Sequence, residues 1–287
     1  MRPNKLEDIV GQDGVVSCLK VSVNASKDRG DAMPHMLFEG PPGLGKTTLA
    51  NALAKTREVR VINTNGGNIR SIKNILPCLM KLQPNDVLFI DEVHRIHKTV
   101  EEFLYPAMED FRIDLSTEDE QISMDLPKFT MVGAPTLAGS LSRPFFDRFD
   151  RKFELKLYDE DVLRDILIKN ADHLKMHITD QEASSMASRS RGTPRIAIHL
   201  IKWYRDYKES HNGTVENAMD MIGSYDGGFT DKDRKYLDFL KRVNRPVGLK
   251  SLADTLNLDK DTIMNIIEPF LLRKGLIQRT LRGRIVI

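Results

Sequence analysis

The stretch Gly40-Pro41-Pro42-Gly43-Leu44-Gly45-Lys46-Thr47 constrains this chain more than any other. It follows a short apolar run, Met36-Leu37-Phe38, and leads into a helical pattern, Leu49-Ala50-Asn51-Ala52-Leu53-Ala54. A glycine-rich turn between strand and helix lets backbone N–H groups curl around phosphate oxygens, and the helix N-terminus adds a favourable dipole. Gly40, Gly43, Gly45 and the first helical residues through Thr48 then cradle a nucleoside triphosphate such as ATP. Lys46 supplies a point charge for the β- and γ-phosphates, and Thr47 offers a hydroxyl to Mg²⁺.

Such a loop requires a strand before it and a helix after it, and the flanking sequence supplies more of both. Val59-Arg60-Val61-Ile62, Val87-Leu88-Phe89-Ile90, Phe129-Thr130-Met131-Val132 and Phe153-Glu154-Leu155-Lys156-Leu157 are short apolar runs separated by helix-length stretches. They predict a mostly parallel sheet covered on both faces, an α/β nucleotide-binding core over residues 1–157. After Asp159 the strand signal ends. Apolar residues at helical spacing in Asp161–Ile168 and Ile196–Trp203 predict a small helical lid over 158–226, with Ser224-Tyr225-Asp226-Gly227-Gly228 reading as a linker. Residues 227–287 carry three helical patterns, ending near Val243 and spanning Leu249–Leu256 and Thr262–Leu272, and then a hairpin turning at Arg282-Gly283. Three helices and a hairpin are the plan of a winged helix.

Asp91, 45 residues after Lys46, closes the run Val87-Leu88-Phe89-Ile90 and is followed by Glu92. Ligands of open α/β sheets gather at the carboxyl ends of strands, where this pair falls. Asp91 suits hydrated Mg²⁺, together with Thr47, and Glu92 suits the orientation or deprotonation of a water. The combination predicts hydrolysis of a bound nucleotide.

Composition narrows the class further. Hydrophobic residues make up 40% and charged residues 29%, and no run of about 18 apolar residues is present, which excludes a membrane span. The N-terminus lacks an apolar signal segment, and Cys18 and Cys78 lie far apart, as expected of reduced thiols in a cytoplasmic protein. The net charge is +2, yet residues 231–287 hold 13 Lys and Arg against 7 Asp and Glu. A basic tail behind a mildly acidic body points toward a polyanion. Arg279, Arg282 and Arg284 cluster on the wing, and no acidic residue occurs between Arg273 and Arg284. Contacts from such a wing to phosphates would be salt-dependent and nearly blind to sequence. A wing used for protein contact is the other reading.

Several stretches together resemble the RuvB family, the bacterial AAA+ motors of Holliday-junction branch migration. They are the phosphate loop through Asn51, Asp86-Val87-Leu88-Phe89-Ile90-Asp91-Glu92-Val93-His94-Arg95, Leu104-Tyr105-Pro106-Ala107-Met108-Glu109-Asp110-Phe111, Arg191-Gly192-Thr193-Pro194-Arg195 and Gln278-Arg279-Thr280-Leu281-Arg282-Gly283-Arg284. Arg2-Pro3, Gly11-Gln12 and Glu268-Pro269-Phe270 fit too, so the resemblance runs almost end to end. It implies a homo-hexameric ring acting on duplex DNA at a four-way junction. Thr136 matches the sensor of the γ-phosphate, although the family's paired threonines are here Pro135-Thr136. Arg148 matches the arginine finger given to a neighbouring subunit, while Phe146 stands where the family has a second arginine. An Arg148 paired with Asp147 or with an interface carboxylate is the plainer reading. Arg195 matches the second sensor. Pro194, Ile9 and Val10 match positions near the adenine, or are simple core.

The resemblance also implies a β-hairpin over Phe111–Leu126 that docks on RuvA, the junction-binding partner, through Ile122 and Met124, which strand alternation would expose on one face. The hairpin is shorter than usual and has an acidic tip, Thr117-Glu118-Asp119-Glu120. With a start at Arg2-Pro3 in place of the family's usual leader, this implies a divergent or phage-borne member. Two other functions remain open at this stage. One is a loader or origin initiator with the same AAA+ core; the other is a DNA-binding regulator with a vestigial ATPase.

Overall fold

The structure is a computed structural model, and it describes residues 3–116, 121–136, 138–211 and 213–287. Arg2 and the acidic hairpin tip Thr117–Glu120 lie outside the described residues. The chain forms two compact units: residues 1–162 with 193–195, and residues 163–192 with 196–287.

The first unit is built on five parallel strands: β1 (Met36–Glu39), β2 (Val61–Asn65), β3 (Val87–Asp91), β6 (Thr130–Ala134) and β7 (Arg151–Glu154), in the order β2-β3-β6-β1-β7. Between β3 and β6 an antiparallel hairpin intervenes, β4 (Arg112–Ser116) and β5 (Gln121–Asp125). The α-helices that lie wholly within this unit among the described residues are α1 (Asp13–Arg29), α2 (Lys46–Arg57), α3 (Ile72–Leu79), α4 (Lys98–Glu109) and α5 (Arg143–Asp147). The continuous apolar runs have a simple cause. Side chains alternate across a strand, and on the central strands β1, β3 and β6 both faces are buried. Leu88 and Ile90 enter one core cluster with Leu37, Leu104 and Phe129, while Val87 and Phe89 enter the other with Phe38, Leu53 and Val132. Burying each such side chain contributes about 1.5–3 kcal/mol, so the sheet is anchored from both sides.

His35 occupies the start of β1 and is buried. Its Nδ1 accepts the Met131 N–H at 2.9 Å and its Nε2 lies 2.9 Å from the Met108 carbonyl. Accepting at one nitrogen and donating at the other requires a neutral ring. Burial accordingly pushes its pKa down, against the opposing effects of the Met108 hydrogen bond and of Asp150.

The second unit holds most of α6 (Glu160–His173), then α7 (Asp180–Ser188), α8 (Pro194–Ser210) and α9 (Val215–Met221). Thr179 and Thr214 cap α7 and α9 through Glu182 N–H and Asn217 N–H. Its C-terminal part has α10 (Asp231–Val243), α11 (Leu249–Leu256), and α12 (Lys260–Thr262), which runs through a π-helical turn, Ile263–Ile267, into α13 (Glu268–Arg273). The wing is β10 (Ile277–Thr280) paired with β11 (Gly283–Val286). Tyr236, Leu240, Leu252, Ile263, Phe270 and Leu271 form the core of this three-helix-and-wing module.

The expected linker is not a free one. Ser224–Tyr225 (β8) pairs antiparallel with Phe229–Thr230 (β9), Ser224 facing Thr230 and Tyr225 facing Phe229. Ser188 Oγ also donates to Asp226 at 2.6 Å. No helix among the described residues is long and apolar enough to cross a membrane.

Candidate nucleotide site and DNA-facing wing

The parallel sheet brings β1, β3 and β6 together at their carboxyl ends. The phosphate loop leaves β1, Asp91 ends β3, and Thr136 follows β6 by two residues. Asp91 is in register with Ala134 on one side and Asn65 on the other. In the loop Gly40, Gly43 and Gly45 all have positive φ. At Gly43 a side chain would be strained and would have to displace a neighbour, because an added Cβ would lie 2.6 Å from the Thr193 methyl. The first amides of α2 have no intrahelical partner and point into the turn.

Lys46 is buried, and its Nζ donates to the carbonyls of Gly40 at 2.5 Å and Pro41 at 3.3 Å. Desolvation pushes its pKa down and Asp91 pulls the other way. Thr47 Oγ1 lies 3.5 Å from Asp91 Oδ2, which puts hydroxyl and carboxylate on one side of the loop. These residues fit a triphosphate and a magnesium ion. Mg²⁺ keeps most of its waters and takes one or two protein oxygens, and Thr47 with Asp91 supplies that pair. Among the described residues no group of three or more His, Cys, Asp or Glu competes as a denser metal site.

Glu92 has left-handed backbone angles (φ 49°, ψ 41°), which carry its side chain away from Asp91. Its Oε2 accepts from Arg95 at 3.0 Å and from Asn65 Nδ2 at 3.3 Å. Those two hydrogen bonds, Arg95 first, hold its pKa below the usual carboxylate range. Neither Asn65 nor Arg95 is marked by the acidic motif itself. A signal for Asn65 existed: Val61-Ile62 gives way to Asn63-Thr64-Asn65 at the carboxyl end of a parallel strand, where apolar residues would otherwise continue.

On the other side of the loop Gln12 Nε2 donates to Lys156 O at 2.7 Å, and Tyr158 OH donates to Leu44 O at 3.3 Å. Ile9 and Val10, just before Gln12, are half-buried, and Ile9 packs on the cluster that contains Leu6 and Val16. Pro194 opens α8, and the Arg195 N–H donates to Gly43 O at 3.3 Å, so Thr193–Arg195 lie against the phosphate loop.

Arg148, following α5, is mostly covered within its own unit. Its guanidinium lies 3.9 Å from the Tyr105 ring centre, 3.2 Å from Glu109 and 2.8 Å from the Pro144 carbonyl. Asp147 pairs instead with Arg143. Phe146 lies between two cations, Arg143 at 5.9 Å and Lys152 at 4.6 Å from its ring centre.

The hairpin pairs Ile113 with Met124 and Leu115 with Ile122, so all four face one way. Exposure rises toward the tip: Ile113 is buried, Leu115 and Met124 pack partly on the core, and Ile122 is exposed. The expectation that both Ile122 and Met124 are exposed therefore holds for Ile122 alone. Met124 lies at the base, where the hairpin rests on the core.

The wing also differs from its sequence appearance. Glu268 on α13 is fully buried, and both of its oxygens are taken: Arg279 donates to Oε2 at 2.6 Å, Arg284 to Oε1 at 2.8 Å, and Tyr236 OH to Oε1 at 3.0 Å. Two of the three wing arginines are thus held by an acid from outside the wing. Arg282 sits at the exposed turn between the strands, next to the fully exposed Leu281.

The comparisons with known proteins agree along the chain. Residues 1–155 match the Holliday junction DNA helicase RuvB P-loop domain, residues 158–221 the RuvB AAA lid domain, and residues 226–286 the RuvB C-terminal winged helix domain. The Holliday junction branch migration complex subunit RuvB of Helicobacter pylori is 42% identical over 296 residues, covering 99% of this chain and 88% of that protein. The subunit of the same name from Rhodopirellula baltica is 40% identical over 297 residues, covering 99% and 81%. The solved Thermotoga maritima RuvB Holliday junction branch migration motor superimposes with a TM-score of 0.86 at 39% identity, covering 100% of this chain and 95% of that one. With a matched P-loop, lid and winged helix in order and about two residues in five identical throughout, the chain belongs to the RuvB family.

Proposed function

We propose that the protein is an ATP-dependent DNA translocase that drives branch migration of Holliday junctions in recombination and repair. The observation that carries this reading is the convergence of Lys46, Thr47 and Asp91 at the sheet edge, in a chain that ends in a winged helix with a basic tip. In this reading the loop amides and Lys46 grip the phosphates, and Thr47 and Asp91 would hold a hydrated Mg²⁺, which would supply positive charge to the phosphate oxygens. Glu92 orients the attacking water and accepts its proton as the bond to the ADP oxygen breaks. With its pKa lowered by Arg95 and Asn65, Glu92 is a weak base in the geometry seen here, and its release from Arg95 raises its basicity. Thr136 and Arg195 read the γ-phosphate, and Ile9, Val10 and Pro194 flank the adenine.

Arg148 serves the site of the next copy in a hexameric ring, for which it leaves Glu109. The ring lies in the cytoplasm and works with a RuvA-like junction-binding protein that docks at the hairpin, chiefly on Ile122. The wings contribute phosphate contacts only. A motor that moves along DNA needs contacts that do not depend on sequence.

The test is a synthetic four-way junction incubated with the protein, Mg²⁺ and ATP, with and without a RuvA protein. Duplex products that require ATP and vanish in Lys46→Ala are expected. An ATPase that yields no products under either condition would be a loader-like switch in place of a motor.

A further inference from the structure

We infer that Arg191 is a positioning residue that relays the nucleotide state from the phosphate loop to the DNA-binding module. The inference rests on the reading of Arg195 as the sensor of that state.

The turn after α7 and the start of α8 hold the segment Arg191-Gly192-Thr193-Pro194-Arg195. Its last three residues belong to the nucleotide-binding unit, where the Arg195 N–H meets Gly43 O. Its first belongs to the other unit, where it makes a deeply enclosed ion pair. The Arg191 guanidinium, with 12% of its side chain exposed, donates to Asp233 on the first turn of α10, and Asp233 is fully buried. Arg191 Nε donates to the Gly228 carbonyl at 2.7 Å, and the guanidinium stacks 4.1 Å from the Phe270 ring centre on α13. Gly228 (φ +86°) is needed for this approach, because an added Cβ would lie 2.9 Å from Arg191 Cγ.

Arg191 itself has a left-handed backbone, φ 54°. For a long side chain that conformation costs free energy and persists only where the surroundings impose it. Asp233 in turn caps α10 by accepting the Thr230 N–H at 2.7 Å. One turn of backbone therefore joins the phosphate-loop contact to the helix that starts the winged helix. A planar guanidinium bonded on two edges and stacked on a third surface transmits a rotation that a flexible lysine would absorb.

The experiment is hydrogen–deuterium exchange of the full chain with ADP and with a non-hydrolysable ATP analogue, on wild type, Arg191→Lys and Asp233→Asn. Asparagine retains the α10 cap, so the second variant removes the charge pairing while keeping the helix start. In wild type the α10 amides should exchange about fivefold or more differently between the two nucleotides, the low end of typical site coupling. In both variants that difference should fall to about twofold or less, while the α2 amides still respond to nucleotide as in wild type. Wild-type α10 indifferent to nucleotide, or variants with the full wild-type response, would overturn the relay. So would loss of the α2 response in both variants, which would make the pair a general structural support. The junction assay stands apart: a protein that shows the relay and moves no junction loses the motor reading and keeps Arg191 as the link.

Discussion

The nucleotide site and the wing both present arginines or lysines for phosphate, yet the two regions use them differently. In the core, Lys46 is buried on the carbonyls of its own loop, and the acid that most supports its charge, Asp91, belongs to the same site. On the wing, Arg279 and Arg284 are bound to a buried acid, Glu268, which makes no contribution of its own to a DNA surface. The lesson is that a cluster of basic residues in sequence measures neither how much charge is free nor where it points. The core keeps its cation inside the phosphate loop. The wing spends two of its three on holding the hairpin to α13 and leaves Arg282 at the tip.

The largest effect expected from this contrast is at Arg148. If the finger works on a neighbour's site, Arg148→Ala loses about 10³–10⁵-fold in turnover with nucleotide affinity nearly unchanged. Mixing it with Lys46→Ala should then recover activity, since mixed rings contain sites with both groups intact. Turnover that follows Arg148 within a lone copy, with no recovery on mixing, would leave Arg148 as a structural partner of Glu109 and Tyr105. Next comes the wing's internal pair. Arg284→Ala leaves the fully buried Glu268 short of a partner, which should cost about 1.5–3 kcal/mol, read by urea unfolding. Arg282→Ala should leave the unfolding midpoint unchanged.

A third expectation concerns His35, whose neutral ring joins β1, β6 and α4. Burial holds its folded pKa below the ordinary histidine value of about 6.5, so above that pH neither the folded nor the unfolded chain carries the charge. As pH falls below about 6.5 the unfolded state binds the proton first. Stability is therefore full above this range and is lost as pH falls toward the folded value. The melting temperature should decline from pH 7 to pH 5, and His35→Gln should flatten that slope. A wild-type slope that survives the substitution unchanged would refute the assignment. The smallest effect belongs to Arg282→Ala, which should reduce the salt dependence of DNA binding by about one counterion and weaken all sequences alike.

What the sequence disclosed follows the same division. The loop, Asp91-Glu92 and the five strands were legible because their chemistry lies in contiguous residues, and a doubly covered parallel sheet imposes uninterrupted apolar runs. Glu268 was not legible as the partner of the wing, since it precedes Arg279 and Arg284 by 11 and 16 residues and reaches them only through the packing of α13. Asn65 met Glu92 across 27 residues through strand register, which a single sequence does not encode locally. Met124 was placed on the right face of its strand, but alternation carries no information on how far along the hairpin the core extends. Ser224–Gly228 had the composition of a linker, and its short ladder with Phe229–Thr230 depends on turn geometry that polar residues and glycines permit without announcing.

If hydrolysis in the core moves DNA held through phosphates at the wing, bound DNA should stimulate turnover. The most direct test of this coupling is ATP turnover measured with and without duplex DNA as salt is raised from about 50 to 200 mM, a range over which multi-phosphate contacts lose orders of magnitude in affinity. The account predicts that the DNA-stimulated part of turnover falls at least about tenfold at subsaturating DNA, while turnover without DNA stays nearly constant. A stimulated rate indifferent to salt, or no stimulation by DNA at any salt, would contradict it.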